Sequence, residues 1–198
     1  MTHSKTLKRH ARDRPVRHEA QFSVSTPALL RGGTDRTFQR LLFDLFTIAE
    51  RLERVRVHVA SRIGLSGPQY SLLRGVAALQ GNEGVSIGVL AEHLHVTSAF
   101  VVVQSGVLVQ RGLLGKKDDA SDRRISRLSL AATGARLVGN AIEEVRPIND
   151  LFFGTLQEDE FNSLVAIVNK LVDSSRAAMV RISSHNQAAV LTSRDNRP

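Results

Sequence analysis

The sequence predicts a mainly α-helical fold interrupted once by a small β-hairpin. Three observations carry this. Apolar residues recur at helical spacing through several segments that open on Ser or Thr and close on Gly. The stretch that alternates apolar and polar residues, Arg124–Leu130, follows a second strand-like run, Leu113–Lys117, across a turn-rich Asp118-Asp119-Ala120-Ser121-Asp122. Lys and Arg crowd that same hairpin: positions 111–136 hold seven of them against three Asp.

Taken in order, residues 1–33 read as a disordered basic arm. They carry seven Lys/Arg against two Asp/Glu and end on Arg31-Gly32-Gly33. Residues 34–64 form a long first helix. Phe38, Leu41, Leu42, Leu45, Phe46, Ala49, Leu52, Val55, Val59 and Ile63 lie on one broad stripe, and Arg40, Asp44, Glu50, Arg51, Arg54 and Arg56 lie opposite. Residues 65–131 form the central unit. Ser66-Gly67-Pro68-Gln69 has the capping-box form and opens a second helix that buries Leu72, Leu73, Val76 and Leu79. Ser86 caps a short third helix, and Thr97 caps a fourth that ends at Gly112, a suitable glycine after the last turn. Two short capped helices joined at His95-Val96 make a helix-turn-helix, and the hairpin follows as its wing. The fold class is therefore a winged helix-turn-helix with a two-stranded wing, flanked by N- and C-terminal helices.

Residues 132–182 supply two further helices. The first carries Leu137, Ala141, Ile142, Val145, Ile148 and Phe152, with Pro147 placed to kink it. The second, from about Glu158, is expected to bury Phe161, Leu164, Val165, Val168, Leu171 and Val172. Residues 183–198 lack a core pattern and read as a loose tail. The outer helices are too apolar to stand alone, so their simplest burial is against each other and against a second copy of the chain, as dimerisation helices.

Composition narrows the function. The chain has 198 residues and a formal net charge of +8, a balance that favours a polyanionic partner. It contains no Cys, which excludes disulfides, thiol catalysis and thiolate metal sites. Aromatic residues make up 5%, too few for an aromatic-lined sugar or base-stacking groove. No run approaches the roughly 18–20 apolar residues that span a bilayer, and the N-terminus lacks the apolar core of a secretory signal. No membrane association and a cytoplasmic location are expected. Asp118-Asp119-Ala120-Ser121-Asp122 formally matches a D-D-x-x-D magnesium motif, but it sits in a turn followed by two Arg rather than on a helix facing a diphosphate cavity. His93 and His95 are two apart and point to different helix faces, which does not suit metal ligation. No catalytic residue, metal ligand set or cofactor is expected.

Four segments then resemble the MarR family of transcription regulators. Leu65-Ser66-Gly67-Pro68-Gln69-Tyr70-Ser71-Leu72-Leu73 is similar to the family's start of the second helix. Ile87 through Thr97 is similar to its helix and turn, with Leu90-Ala91-Glu92 at the core of the likeness. Gly112-Leu113-Leu114 matches the exit from the recognition helix. Asp119-Ala120-Ser121-Asp122-Arg123-Arg124, with Leu128-Ser129-Leu130 and Gly134, resembles the wing. The likeness runs from about Arg36 to Ile182 without gaps between the segments. It implies a homodimer joined through its terminal helices, with one recognition helix per subunit in successive major grooves of a pseudo-palindromic operator. It further implies repression, and release by a small aromatic or phenolic effector.

The candidate DNA-contacting residues follow. The resemblance turns Ser98, Ala99, Phe100, Val102 and Val103 toward DNA, with Thr97 capping that helix and Gln104 as its amide nearest the cap. On the wing, Lys116, Lys117, Arg123, Arg124 and Arg127 can reach phosphates or a minor groove, with Ser121 at the tip. Arg124 matches the family's most typical wing arginine, and Asp122 is placed to pair with a nearby Arg. The helix has no Lys or Arg before Arg111, while Gln104 and Ser105 fall where the family carries apolar core residues. On this reading Val101, Val107 and Leu108 form the helix's buried face. His58, Arg62 and Tyr70 are placed to line an effector crevice between the dimerising and DNA-binding parts. The apolar recognition face also supports an alternative, a ligand-sensing or protein-interaction module on the same fold with weak or non-specific DNA binding.

Overall fold

The computed structural model describes residues 22–195, with side-chain surroundings through residue 184. The chain divides into two compact units, Met1–Arg54 and Val55–Pro198.

In the first unit, two 3-10 turns, Pro27–Leu29 and Arg31–Gly33, precede helix α1, Arg36–Arg62, which runs on into the second unit. The described end of the expected disordered arm is thus structured. The Asp35 carboxylate accepts from the Ser23 amide and hydroxyl, both at 2.7 Å, and from Gln39 Nε2 at 3.0 Å. These donors, the Ser23 hydroxyl foremost, lower its pKa from 3.8 to about 2. Residues 1–21 of the arm lie outside the described residues. Within this unit Leu41, Phe43, Leu45, Phe46 and Ile48 of α1 are exposed.

The second unit holds α2 (Gly67–Leu79), β1 (Val85–Ser86), α3 (Ile87–His93), α4 (Ser98–Gln110), β2 (Leu114–Asp118), β3 (Ser126–Leu130), α5 (Ala132–Phe153) and α6 (Glu158–Asp195). The fold class is the winged helix-turn-helix read from the sequence, and local chemistry explains each boundary. Both halves of the Ser66–Gln69 capping box are made. The Ser86 hydroxyl accepts from the Val89 amide at 3.3 Å, and the Thr97 hydroxyl from the Phe100 amide at 3.2 Å. Gly112 takes φ +67° and closes α4 with paired bonds, Gly112 N–H to Val109 O and Leu113 N–H to Leu108 O, both 2.9 Å. That Schellman closure needs a left-handed residue, which glycine adopts without strain.

The sheet has three antiparallel strands in the order β1-β3-β2, one more than the hairpin. The added strand is only two residues long, Val85 opposite Leu128 and Ser86 opposite Arg127, and so left no alternation to read. Leu114 pairs with Leu130 and Lys117 with Arg127 across the wing. Leu72, Leu73, Val76, Leu90, Val101, Leu108 and Leu128 form a fully buried centre where α2, α3, α4 and the sheet meet. A Cβ on Gly134 would sit 2.0 Å from Leu113 O, so α5 packs against the start of the wing only because that side chain is absent.

Two expectations change. The tail from residue 183 is not loose: α6 continues as one helix to Asp195. Residues 183–195 contain neither Gly nor Pro, so nothing stops a helix already nucleated upstream. Nor does α6 bury its stripe within the chain. Phe161, Leu164, Val165, Val168 and Leu171 are all exposed, Phe161 at 51%. Pro147 lies inside α5, which continues through it as one element. Among the described residues no single helix is long and apolar enough to cross a membrane.

Candidate nucleic-acid interface

Helix α4 is seated by Val101, Ser105 and Leu108, all buried at i, i+4 and i+7 spacing. Ser105 takes a core position, and its hydroxyl is satisfied by donating to Val102 O at 3.2 Å. Val107, expected in the core, is instead exposed, because Ser105 and Leu108 turn that helix edge outward. Ser98, Ala99, Val102 and Val103 face solvent, Phe100 and Gln104 are half-buried, and Thr97 is engaged as the cap. The turn before α4 holds His95 at φ +54°, a left-handed conformation outside glycine that no sequence signal marked.

The wing tip is organised around Asp119, which is only 5% exposed. Its carboxylate accepts from the Ser121 amide at 2.8 Å, the Ser121 hydroxyl at 2.6 Å and the Asp122 amide at 3.1 Å. A fourth donor is Arg127 Nε, and Arg127 Nη1 also donates to Gly84 O at 3.0 Å. The Asp119 amide returns to Ile125 O at 2.8 Å. Ser121 and Arg127 hold this carboxyl far below the usual carboxylate range. Asp119 is therefore occupied by N–H and O–H donors rather than open to a cation.

The expected Asp122 pairing is present, with Arg124 Nε 3.2 Å from Asp122 Oδ1, but the Arg124 side chain is 93% exposed. An exposed pair of this kind contributes little. The clamp that holds the tip is Asp119–Arg127. Arg127, expected to reach DNA, is turned inward, and so is the Ser121 hydroxyl. The hairpin register allows this: with Asp118 opposite Ser126 and the Asp119 amide bonded to Ile125 O, Asp119 and Arg127 lie on the same face, diagonally across the wing. Lys116, Lys117, Arg123 and Arg124 remain exposed around that tip.

The three effector candidates fall in two places. His58 Nε2 lies 3.1 Å and Arg62 Nε 3.8 Å from Glu144 Oε1, tying the end of α1 to α5. Tyr70 is buried and lines a separate cavity of 340 Å³ with Ser71, Arg74, Gly75, His93 and Leu94. Arg56 is no freely solvated residue either, since it donates to Ser71 Oγ at 3.2 Å. A larger hollow of 510 Å³, unmarked in the sequence, lies between the α3–α4 turn and α6, with Glu92, His95, Arg176 and Met179 in its walls.

Residues 63–125 match the sequence profile of the MarR family. The transcriptional regulator HosA of Escherichia coli O157:H7 is 29% identical over 110 residues, 56% of this chain and 79% of HosA. Among solved structures, CouR from Rhodococcus jostii RHA1 bound to p-coumaroyl-CoA aligns with a TM-score of 0.60 at 21% identity. That alignment covers 66% of this chain and 90% of CouR. The S. aureus MepR–DNA complex aligns at 0.58 and 19% identity, covering 67% of this chain and 96% of MepR. At these identities the two structures share the fold with this chain.

Proposed function

Starting from a chain that belongs to the MarR family of transcription regulators, we propose that it binds duplex DNA as a homodimer and represses transcription. Helix α4 enters the major groove, and Lys116, Lys117, Arg123 and Arg124 hold the flanking phosphates. The observation that carries this reading is the set of four exposed cations on a wing whose one buried acid, Asp119, is internally satisfied, with only the exposed Asp122–Arg124 pair and the exposed Asp118 beside them. Asp119 is neutralised by Arg127 inside the wing, and Lys116, Lys117, Arg123 and Arg124 face solvent beside the exposed residues of α4. Phosphate contact needs that arrangement.

The homodimer rests on apolar surface. The α6 stripe at Phe161, Leu164, Val165, Val168 and Leu171 has the spacing of a helix–helix seam and is uncovered within the chain. The first unit carries its own exposed apolar residues on α1, Leu41, Phe43, Leu45, Phe46 and Ile48. Sedimentation should give a dimer, and Leu164→Glu with Val168→Glu should shift it to monomer. Binding to duplex DNA should weaken steeply with salt. If a dimer's eight wing cations each neutralise one phosphate, the log–log slope is about −7. A flat salt profile would remove the wing from the interface.

We also read the chain as responsive to a small aromatic or phenolic effector, for which the hollow beside Tyr70, with Arg74 in its wall, has the mixed character needed. Effector binding would be read as release of a bound DNA probe.

A further inference from the structure

Resting on the duplex-binding reading above, we infer that α4 selects its sites through the C5-methyl groups of thymine, with Val102 and Val103 as the specificity-determining side chains. The buried set Val101, Ser105 and Leu108 fixes the rotation of the helix. At about 100° per residue, Ala99, Val103, Gly106 and Gln110 point away from the core, with Val102 and Val107 at their sides. Val102 is 49% exposed and Val103 64% exposed. No charged residue occurs from Ser98 to Gln110.

The hydrogen-bonding routes to bases are nearly closed on this face. Guanine is read mainly by Arg or Lys and adenine by Asn or Gln. Here the first cation after the cap is Arg111, beyond the helix. Gln104 is half-buried on the flank nearer the core, and Gln110 sits about 18 Å along the axis from Ser98. In this docking mode the N-terminal residues of the helix meet base edges, and apart from the exposed Ser98 hydroxyl those residues, Ala99, Phe100, Val102 and Val103, offer no hydrogen-bonding side chain.

In the major groove thymine presents a methyl group, whereas cytosine presents an amino donor. A valine against thymine buries apolar surface on both sides. Against cytosine it strips water from the amino group and returns no acceptor. The same face therefore rewards one pyrimidine and penalises the other. Gly106 gives independent support. It sits on the outward face of the continuous helix, at a cost in helix propensity, and open space surrounds the position where its Cβ would stand. Among the described residues nothing packs on Gly106, as is also true of Gly88 and Gly139; on the face that would enter a groove, the missing Cβ lets the helix backbone approach as methyl contacts need.

The test uses the full chain and duplexes enriched from a random-sequence pool. Each enriched duplex is remade with uracil in place of thymine, which removes only the methyl. Thymine should recur where α4 lies, and uracil should weaken binding about fourfold per contacted methyl, more than tenfold for two. Val102→Ser with Val103→Ser should bind both duplexes within about twofold of each other, with an unchanged salt slope and helical content. Equal affinity of the wild-type protein for thymine and uracil duplexes would overturn the inference while leaving wing-driven binding in place. So would an unaltered thymine preference in the serine variant, and the valine face would then be free for a protein partner. No salt-dependent binding at all would overturn the duplex reading and this inference together.

Discussion

From Ser98 to Gln110 the chain carries no charged side chain, whereas from Arg111 to Arg127 it carries six Lys and Arg and three Asp. The two stretches are consecutive, yet they are held by different physics. Helix α4 is seated by apolar residues and a threonine cap. The wing tip is a hydrogen-bonded ionic turn around one nearly buried carboxylate. Cations on a wing position a protein on any duplex, because every phosphate is alike. An uncharged helix face adds little attraction of its own but can discriminate between base edges. On the proposed reading, affinity and selectivity are assigned to separate segments, which can be altered one at a time.

The strongest way to break that division is Arg123→Glu with Arg124→Glu. Both residues are exposed, so thermal stability should hold while DNA affinity falls at least about 100-fold by fluorescence anisotropy. Unchanged affinity would end the wing assignment. Gly134→Ala probes the joint between wing and α5. The added methyl meets Leu113 O, and chemical denaturation should show a loss of about 1–3 kcal/mol. Arg127→Ala should separate the two kinds of wing arginine. It leaves Asp119 without its cationic partner and lowers the melting temperature, whereas Arg124→Ala lowers DNA affinity and leaves melting unchanged. Thr97→Ala removes the cap of α4 and should cost about 1 kcal/mol in the same denaturation assay.

The smallest effect at neutral pH concerns acid. The Asp119 carboxyl titrates below its usual 3.8 because Ser121 and Arg127 stabilise the charged form. A depressed folded-state pKa means the contribution is complete above the ordinary value and is lost as pH falls below it. Wild-type stability should therefore decline on acidification below about pH 4, and Asp119→Asn should flatten that limb of the curve. An unchanged acid limb in Asp119→Asn would mean that the clamp does not stabilise the wing.

Much of the fold was legible because its signals are local. Ser66 with Gln69, Ser86, Thr97 and Gly112 each act on backbone groups within a few residues, so caps and closures read from the chain reappear as hydrogen bonds. The candidate interface was legible only in part. Exposed Lys116, Lys117, Arg123 and Arg124 followed from charge and turn chemistry, but the diversion of Arg127 did not, since its partner is set by strand register. Strand β1 escaped notice for a related reason: two residues hold no period, and their pairing depends on β3 some forty residues later.

What the sequence by itself determined is the order and type of elements, the helix-turn-helix and the wing, because capping, periodicity and turn preference are short-range. It also determined that α4 has an uncharged face. The tertiary structure decided which of similar residues point where. Asp119 rather than Asp122 became the wing's anchor, Val107 rather than Ser105 met solvent, and the α6 stripe was left uncovered. The first depends on how the two strands of one hairpin are paired, the others on how helices pack against the rest of the fold, and neither is set by the local sequence pattern.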